Sequence, residues 1–230
     1  MSKFYIVGTP IGNLEDLTFR AVRILREVDV VLCEDTRVTK KLLDSYGIKT
    51  ATLSYHQHSG ELKIEKILSL LKSGKNLALV SDAGTPGVSD PGGYLVSVVR
   101  RELGEQVEIE SVPGVSALTS ALSVSGAGFD RFIFLGFPPH KKGRQSMLKE
   151  ILDVNFPAIV YESKHRILKL LSELVIMSEA GSKNLEIVVA RELTKLHESV
   201  YLGDPASVLA SLRADVNNLK GEFVVLIKKI

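Results

Sequence analysis

The stretch NLALVSDAGTPGVSDPGG, Asn76 to Gly93, sets a short apolar run against a loop in which the backbone has to turn sharply. Asn76 to Val80 has the composition of a buried strand. Residues 81–93 then hold four glycines and two prolines in thirteen positions, which extend neither a strand nor a helix. The small side chains of Ser81, Ala83, Thr85 and Ser89 leave the main chain open to a ligand, and Asp82 and Asp90 add two carboxylates. In a parallel sheet such a loop lies at the carboxyl end of a strand, where open α/β folds bind ligands. A mobile surface turn is the plainer reading, but prolines stiffen a loop and a mobile turn has little use for that.

On either side of this loop, strand-like and helix-like periods alternate. Phe4 to Val7 is an apolar run ending at Gly8, and Thr18 to Val28 places Ala21, Val22, Leu25 and Val28 on one helical face. Val30 to Cys33 is a second buried run, followed by a helix over Val38 to Tyr46 that Gly47 closes. Thr50 to Tyr55 alternates as a strand does, and Leu62 to Ser73 is helical up to Gly74. A helix from Gly93 to Leu103 and a strand from Val107 to Val112 complete the series. Repeated units of this size predict a parallel sheet with helices on its faces.

The character changes at Pro113-Gly114. A small-residue helix over Val115 to Ser125 precedes strands at Phe132 to Phe137, Ala158 to Tyr161, Glu186 to Ala190, His197 to Leu202 and Glu222 to Lys228. Helices over Gln145 to Leu152, His165 to Met177 and Pro205 to Leu212 lie between them. The short connection Glu192 to His197 predicts an antiparallel pair, and so a mixed sheet. The expected fold is therefore α/β: two α/β domains, 1–112 with a mostly parallel sheet and 113–230 with a mixed sheet, and an interdomain cofactor cleft.

Composition bounds the function. Apolar residues make up 45% of 230, and no run approaches the length that crosses a membrane. The opening MSKFYIVGTP has the pattern of a first strand and lacks a signal-peptide cleavage site. A single cysteine, Cys33, allows no internal disulfide and fits a reducing, cytoplasmic setting, with Cys33 itself a buried small hydrophobe. A formal charge of +2 neither requires nor excludes nucleic acid.

Further loops break pattern after apolar runs. GTPIGNLEDLT, residues 8–18, has glycines for close backbone approach but matches no nucleotide-binding fingerprint. CEDTR, residues 33–37, puts Glu34, Asp35 and Arg37 at a strand end, as a functional group or as a capped helix start with an ion pair. In VPGVSAL, residues 112–118, Ser116 either caps the next helix or bonds a ligand. Glu162, Glu192 and Glu222 each follow an apolar run, where a carboxylate needs a partner such as His165, Arg166, Arg191 or Lys195. HKKGR, residues 140–144, is a solvated charged loop or a phosphate contact. His56 and His58 flank Gln57 with no cysteines at matching spacing, and no metal is expected.

Seven segments together, GTPIGNLEDLT (8–18), CEDTR (33–37), SDAGTPGVSDPG (81–92), PGVSA (113–117), YESKHRI (161–167), ARELTKLHE (190–198) and KGEFVVLI (220–227), resemble one family. It is that of the tetrapyrrole-methylase-like, S-adenosylmethionine-dependent methyltransferases, in the branch that methylates a cytidine 2′-hydroxyl of small-subunit ribosomal RNA. The resemblance implies two α/β domains around a S-adenosylmethionine site, usually in a homodimer. It assigns Thr9, Pro10, Ile11 and Gly12, then Gly84, Thr85 and Val88, then Ser116 and Ala117, to the cofactor, with Tyr161, Ala190 and Gly221 closing it from the second domain. Pro138 and Lys164 depart from the branch, which usually has leucine and proline there. Many members extend past the last strand, whereas this sequence ends at Ile230, which leaves HKKGR, Lys164, His165 and Arg166 to supply more of the phosphate contacts.

The implied acceptor is free small-subunit ribosomal RNA or the assembled 30S subunit. Candidate proton acceptors are Asp35, Asp82 and Glu192, with Lys195 if its pKa is depressed, while Arg37 and Arg191 would hold phosphates. Two other readings stand beside this one: a methyltransferase acting on tetrapyrrole carbons, and a protein that binds RNA without chemistry.

Overall fold

The computed structural model describes residues 1–56, 59–126, 130–181 and 184–230, and the chain divides into two compact units, Met1–Ser116 and Ala117–Ile230. The first unit carries strands β1 (Ser2–Val7), β2 (Val30–Cys33), β3 (Ala51–Ser54), β4 (Leu77–Leu79) and β5 (Val107–Val112). Between them run helices α1 (Phe19–Glu27), α2 (Thr36–Ser45), α3 (Glu61–Lys72) and α4 (Gly92–Leu103). All pairings are parallel, in the order β3-β2-β4-β1-β5. Thr18 caps α1 by accepting from the Ala21 amide at 3.1 Å, and Asp35 caps α2 by accepting from the Arg37 amide at 2.8 Å.

Two apolar layers clothe this sheet. On one face Ala21, Ile24 and Leu25 of α1 and Leu42 and Leu43 of α2 pack with Val31 and Ala78. On the other, Ile67 and Leu71 of α3 and Leu95 and Val99 of α4 pack with Phe4 and Leu77. The chain leaves β1 through α1 toward β2 and β3, and leaves β4 through α4 toward β5. Neighbouring β1 and β4 therefore send their loops in opposite directions, the switch point at which open α/β sheets bind ligands.

The second unit holds α5 (Ala117–Val124), β6 (Ile133–Phe134), α6 (Arg144–Asp153), β7 (Ala158–Ser163), α7 (Ile167–Gly181), β8 (Leu185–Arg191), β9 (Ser199–Gly203), α8 (Pro205–Arg213) and β10 (Glu222–Lys229). Its sheet is mixed, in the order β6-β7-β10-β8-β9, with β6 parallel to β7 and the other pairs antiparallel. Alternate residues, Ala158 and Val160 of β7, Ile187 and Val189 of β8 and Phe223 and Val225 of β10, meet Leu148, Leu170, Leu174 and Leu212 from the helices in one core. The strand expected over Phe132 to Phe137 shortens to Ile133–Phe134, because Gly136 turns left-handed at φ +64° and Pro138 has no amide to pair.

Register gathers the loops of this unit at one end. Ser163, where β7 stops, faces Glu222, where β10 begins. Phe223 faces Arg191, where β8 stops, and Arg191 faces Ser199, where β9 begins. The Tyr161 amide bonds to the Gly136 carbonyl at 2.9 Å, so the loop after β6 opens at the same edge.

Candidate functional site

At the switch point of the first unit, three loops are joined through their main chains. Thr9 and Gly84 form an antiparallel bridge, with the Thr9 amide 2.9 Å from the Gly84 carbonyl and the Gly84 amide 3.1 Å from the Thr9 carbonyl. The buried Thr9 hydroxyl donates to the Ser81 carbonyl at 3.1 Å, and the Thr85 hydroxyl to the Val115 carbonyl at 3.3 Å. Gly8 passes so close to Gly114 that a Cβ on Gly8 would stand 2.9 Å from Gly114 Cα. Gly84 sits at φ +79°, with Ile11 Cγ2 3.5 Å and Val115 O 3.8 Å from where its Cβ would be. Asp90 braces the far side by accepting from the amides of Gly87 at 2.8 Å and Gly92 at 2.7 Å. Thr9, Ile11, Gly84 and Thr85 are thus one assembly, beside buried Pro10 and exposed Gly12 and Val88, and Ser116 follows Val115 directly. The Gly8–Gly114 contact and the Asp90 brace escaped sequence reasoning; the only signal was a glycine in each loop.

The end of β2 carries a carboxylate group. The Asp35 amide donates to Asp82 Oδ1 at 3.1 Å, and Arg37 binds both Asp35 oxygens, with Nη2 2.7 Å from Oδ2. The Arg37 guanidinium and amide hold the Asp35 carboxyl down to about 2. Burial, with Asp82 and Asp90 nearby, pushes Glu34 up. Of the two readings of CEDTR, the structure shows the capped helix start with an ion pair, set beside Asp82. The stabilisation from Asp35 is complete above its ordinary 3.8 and is lost as pH falls through about 2. Asp35→Asn keeps a capping oxygen and removes that charge. It is expected to flatten the fall of the unfolding midpoint between about pH 4 and 2, followed by circular dichroism.

In the second unit the loop after β8 is strained. Glu192 and Thr194 are non-glycine residues in the left-handed region, at φ +52° and +67°. The Glu192 side chain lies across Gly221, where a Cβ would come within 2.3 Å of its Cδ. Glu192 Oε1 accepts from Lys195 Nζ at 2.8 Å and from the Glu222 amide at 3.1 Å, and Lys195 also reaches Glu222 Oε2 at 2.9 Å. Burial works to raise the Glu192 pKa, but the bonds from Lys195 and the Glu222 amide outweigh it and leave the carboxyl below 4.5. For Lys195 burial works downward, and its two carboxylate partners outweigh that and hold it above 10.5. Lys195 is therefore a fixed cation, and the depressed pKa that would let it act as a base is not met. The sequence offered Lys195 as a partner for Glu192 or Glu222, and the structure pairs it with both.

Arg191 corrects another expectation. Its buried guanidinium donates to the carbonyls of Lys220 at 2.8 Å, His197 at 2.9 Å and Asn217 at 2.7 Å, so it clamps loops and is spent for phosphate binding. Arg144 of HKKGR is likewise internal, bonded to Glu173 at 2.7 Å and 3.6 Å from Glu162, while Arg166 meets Glu162 at 2.9 Å. Tyr161 accepts at its hydroxyl from the Leu118 amide at 3.2 Å, tying down α5 just past Ala117, and meets Phe134 and Phe137 edge-on. Ala190 is buried in β8 between Val200 and Val224. His58 lies outside the described residues; among those described, no group of three or more metal-ligating side chains forms, and no helix is long and apolar enough to cross a membrane.

Comparison with known proteins gives this geometry a context. The model of the tetrapyrrole (corrin/porphyrin) methylases matches residues 3–208. The sequence is 46% identical over 210 residues, 91% of each chain, to ribosomal RNA small subunit methyltransferase I of Thermotoga maritima. It is 42% identical to the protein of that name from Escherichia coli O157:H7, over 98% of this chain and 77% of the other. Among solved structures, the methyltransferase CobJ superposes with a TM-score of 0.68 at 20% identity, over 100% of this chain and 95% of that one. Uroporphyrin-III C-methyltransferase from Thermus thermophilus gives 0.64 at 20%, over 98% and 94%. At that identity these two structures speak to the fold alone.

Proposed function

Because the chain belongs to the tetrapyrrole (corrin/porphyrin) methylase family, we propose that it is an S-adenosylmethionine-dependent methyltransferase acting on a cytidine 2′-hydroxyl of small-subunit ribosomal RNA. What supports ribosomal RNA as the substrate is the high identity to relatives named for it, against much lower identity to the tetrapyrrole enzymes, while the cytidine 2′-hydroxyl rests on the resemblance of the seven segments. The donor fits the first unit on one feature: Gly84 leaves a cradle, rimmed by Ile11 and Val115, that any Cβ would begin to fill. Thr9 to Gly12, Gly84, Thr85, Val88 and Ser116 would hold it there. S-adenosylmethionine supplies an activated methyl group, so what remains for the chain is to align the acceptor and take its proton.

In the second unit Glu192 is the proposed proton acceptor. Both of its hydrogen bonds fall on Oε1, whereas Asp35 has both oxygens bound by Arg37. A strained backbone kept in place by Gly221 is also where functional groups concentrate. Lys195, always charged, orients the carboxylate, and Arg37, with an exposed guanidinium, faces the phosphates. Glu192→Gln is expected to lower kcat by about 10²–10⁴ while leaving cofactor affinity within a few-fold. Since Glu192 titrates below 4.5 and Lys195 above 10.5, neither should bend the pH–rate profile between these values. A bell centred near neutrality would remove the assignment.

The function is tested by incubating the protein with labelled cofactor and small subunits from a strain lacking the modification, then mapping the modified ribose. Label on a base, or on uroporphyrinogen in preference to RNA, would overturn the acceptor. An enzyme of ribosomal RNA works in the cytoplasm, and light scattering is expected to report the homodimer that the family resemblance implies.

A further inference from the structure

The parallel pair β6 and β7 opens two basic segments at the same end of the second sheet. After β6 come Phe137 and then His140, Lys141 and Lys142; after β7 come Lys164 and His165, all exposed. Two arginines beneath them act as ties. Arg166 Nη1 donates to the Pro138 carbonyl at 2.7 Å, and Arg144 Nη1 to the Pro139 carbonyl at 3.3 Å. The same arginines take up the acidic groups below: Glu162, fully buried, lies 2.9 Å from Arg166 and 3.6 Å from Arg144, and Glu173 lies 2.7 Å from Arg144. The buried charges therefore cancel locally, while the exposed lysines keep theirs. Phe137 meets the Tyr161 ring edge-on at 5.5 Å, which anchors it on that side, while half of its surface stays open to solvent.

We infer that Phe137, Lys141, Lys142 and Lys164 form a single-strand RNA platform in which the lysines hold successive phosphates and Phe137 stacks a base. The inference rests on the ribosomal RNA reading for the identity of its ligand. Two rigid loops bearing cations around an exposed aromatic ring are the combination that single-stranded nucleic acid selects. The platform also has a direction. In the order β6-β7-β10-β8, the loop carrying Glu192 stands three strand spacings, about 14 Å, from the loop after β6. A strand gripped at the basic end and running along this edge passes toward Glu192 and Lys195.

The test measures binding of unmodified small subunits, without cofactor, across a series of potassium chloride concentrations at fixed magnesium. The triple variant Lys141→Gln, Lys142→Gln, Lys164→Gln is expected to bind about 100-fold more weakly at 0.1 M salt. Its log–log salt slope should fall by about 2, since each single-strand phosphate contact contributes about 0.7. Phe137→Leu is expected to lose about five- to a hundred-fold in affinity with the slope unchanged. The donor-binding loops of the first unit are untouched by the lysine changes, so cofactor affinity should be the same as wild type, and equal unfolding midpoints check the fold. Weakened binding with the reduced slope supports the platform even if no methyl transfer is detected. Full affinity and slope in the triple variant, or a wild-type protein that does not bind the subunits, overturn it even where transfer to a ribose is confirmed.

Discussion

Gly84→Val is expected to reduce affinity for S-adenosylmethionine by about 100-fold or more, to the point of no measurable binding in a calorimetric titration. Two effects add. At φ +79° a β-branched residue is strained by about 1–3 kcal/mol. The strain has no easy outlet, because both the amide and the carbonyl of Gly84 are paired with Thr9, and relaxing φ breaks that bridge. The side chain also grows toward Ile11 Cγ2 and Val115 O, into the cradle the donor would occupy. The strain weakens binding only so far as the free loop sheds it by leaving this conformation, and about 2 kcal/mol regained in that way is worth roughly thirtyfold; occlusion supplies the rest. The loop lies outside both core clusters of its unit, so unfolding should stay cooperative. Unchanged cofactor affinity in the folded variant would defeat the assignment of this loop. Asp35→Ala is the contrast: it frays α2 and frees Arg37, and is expected to slow transfer while leaving affinity nearly intact.

The largest effect on stability is expected at Arg144. Its side chain is buried, its Nε and Nη2 bind Glu173, and its Nη1 lies 3.6 Å from Glu162 Oε2, an oxygen with no hydrogen-bond partner among the described residues. Arg144→Met removes the cation and keeps most of the stem. Glu173 is then left with Lys169 at 4.0 Å, and Glu162 with Arg166 and the Ser163 amide, both on Oε1. Breaking a buried pair from one side costs about 3–5 kcal/mol, because the remaining charge loses its partner but stays out of water. Urea unfolding monitored by circular dichroism measures this, and a loss below about 1 kcal/mol would show that the network is solvated. Arg144→Lys should recover little, since a point charge cannot reproduce the forked contact with Glu173. Adding Glu173→Gln to Arg144→Met should recover part of the loss by removing one stranded charge.

Much of the architecture was legible because local chemistry and the global fold agree. Thr18, Asp35 and Asp204 each precede a helix and accept from its first amides, and Gly104 closes α4. The short connection after Glu192 did predict an antiparallel pair, β8 with β9. Strand order was not legible, because nothing in β1 or β4 identifies its neighbour until loop lengths and helix faces are assembled together. Side-chain roles were harder still. Arg191 looked like a phosphate ligand because an arginine after a strand has that chemistry. It is instead consumed by three carbonyls brought from Asn217, Lys220 and His197, a demand no local pattern announces. Glu192 over Gly221 was half legible: the glycine stood out, but what needed its missing side chain lay 29 positions away in sequence.

The bridge between Thr9 and Gly84 is made by main-chain atoms, with the Thr9 and Ser81 hydroxyls also donating to the Gly84 carbonyl at 3.3 Å. Asp82 and Ala83 can therefore be substituted without erasing it, whereas a one-residue insertion or deletion on either side would. What is inherited at such a crossing is loop length, together with the few positions where only hydrogen fits on the α-carbon.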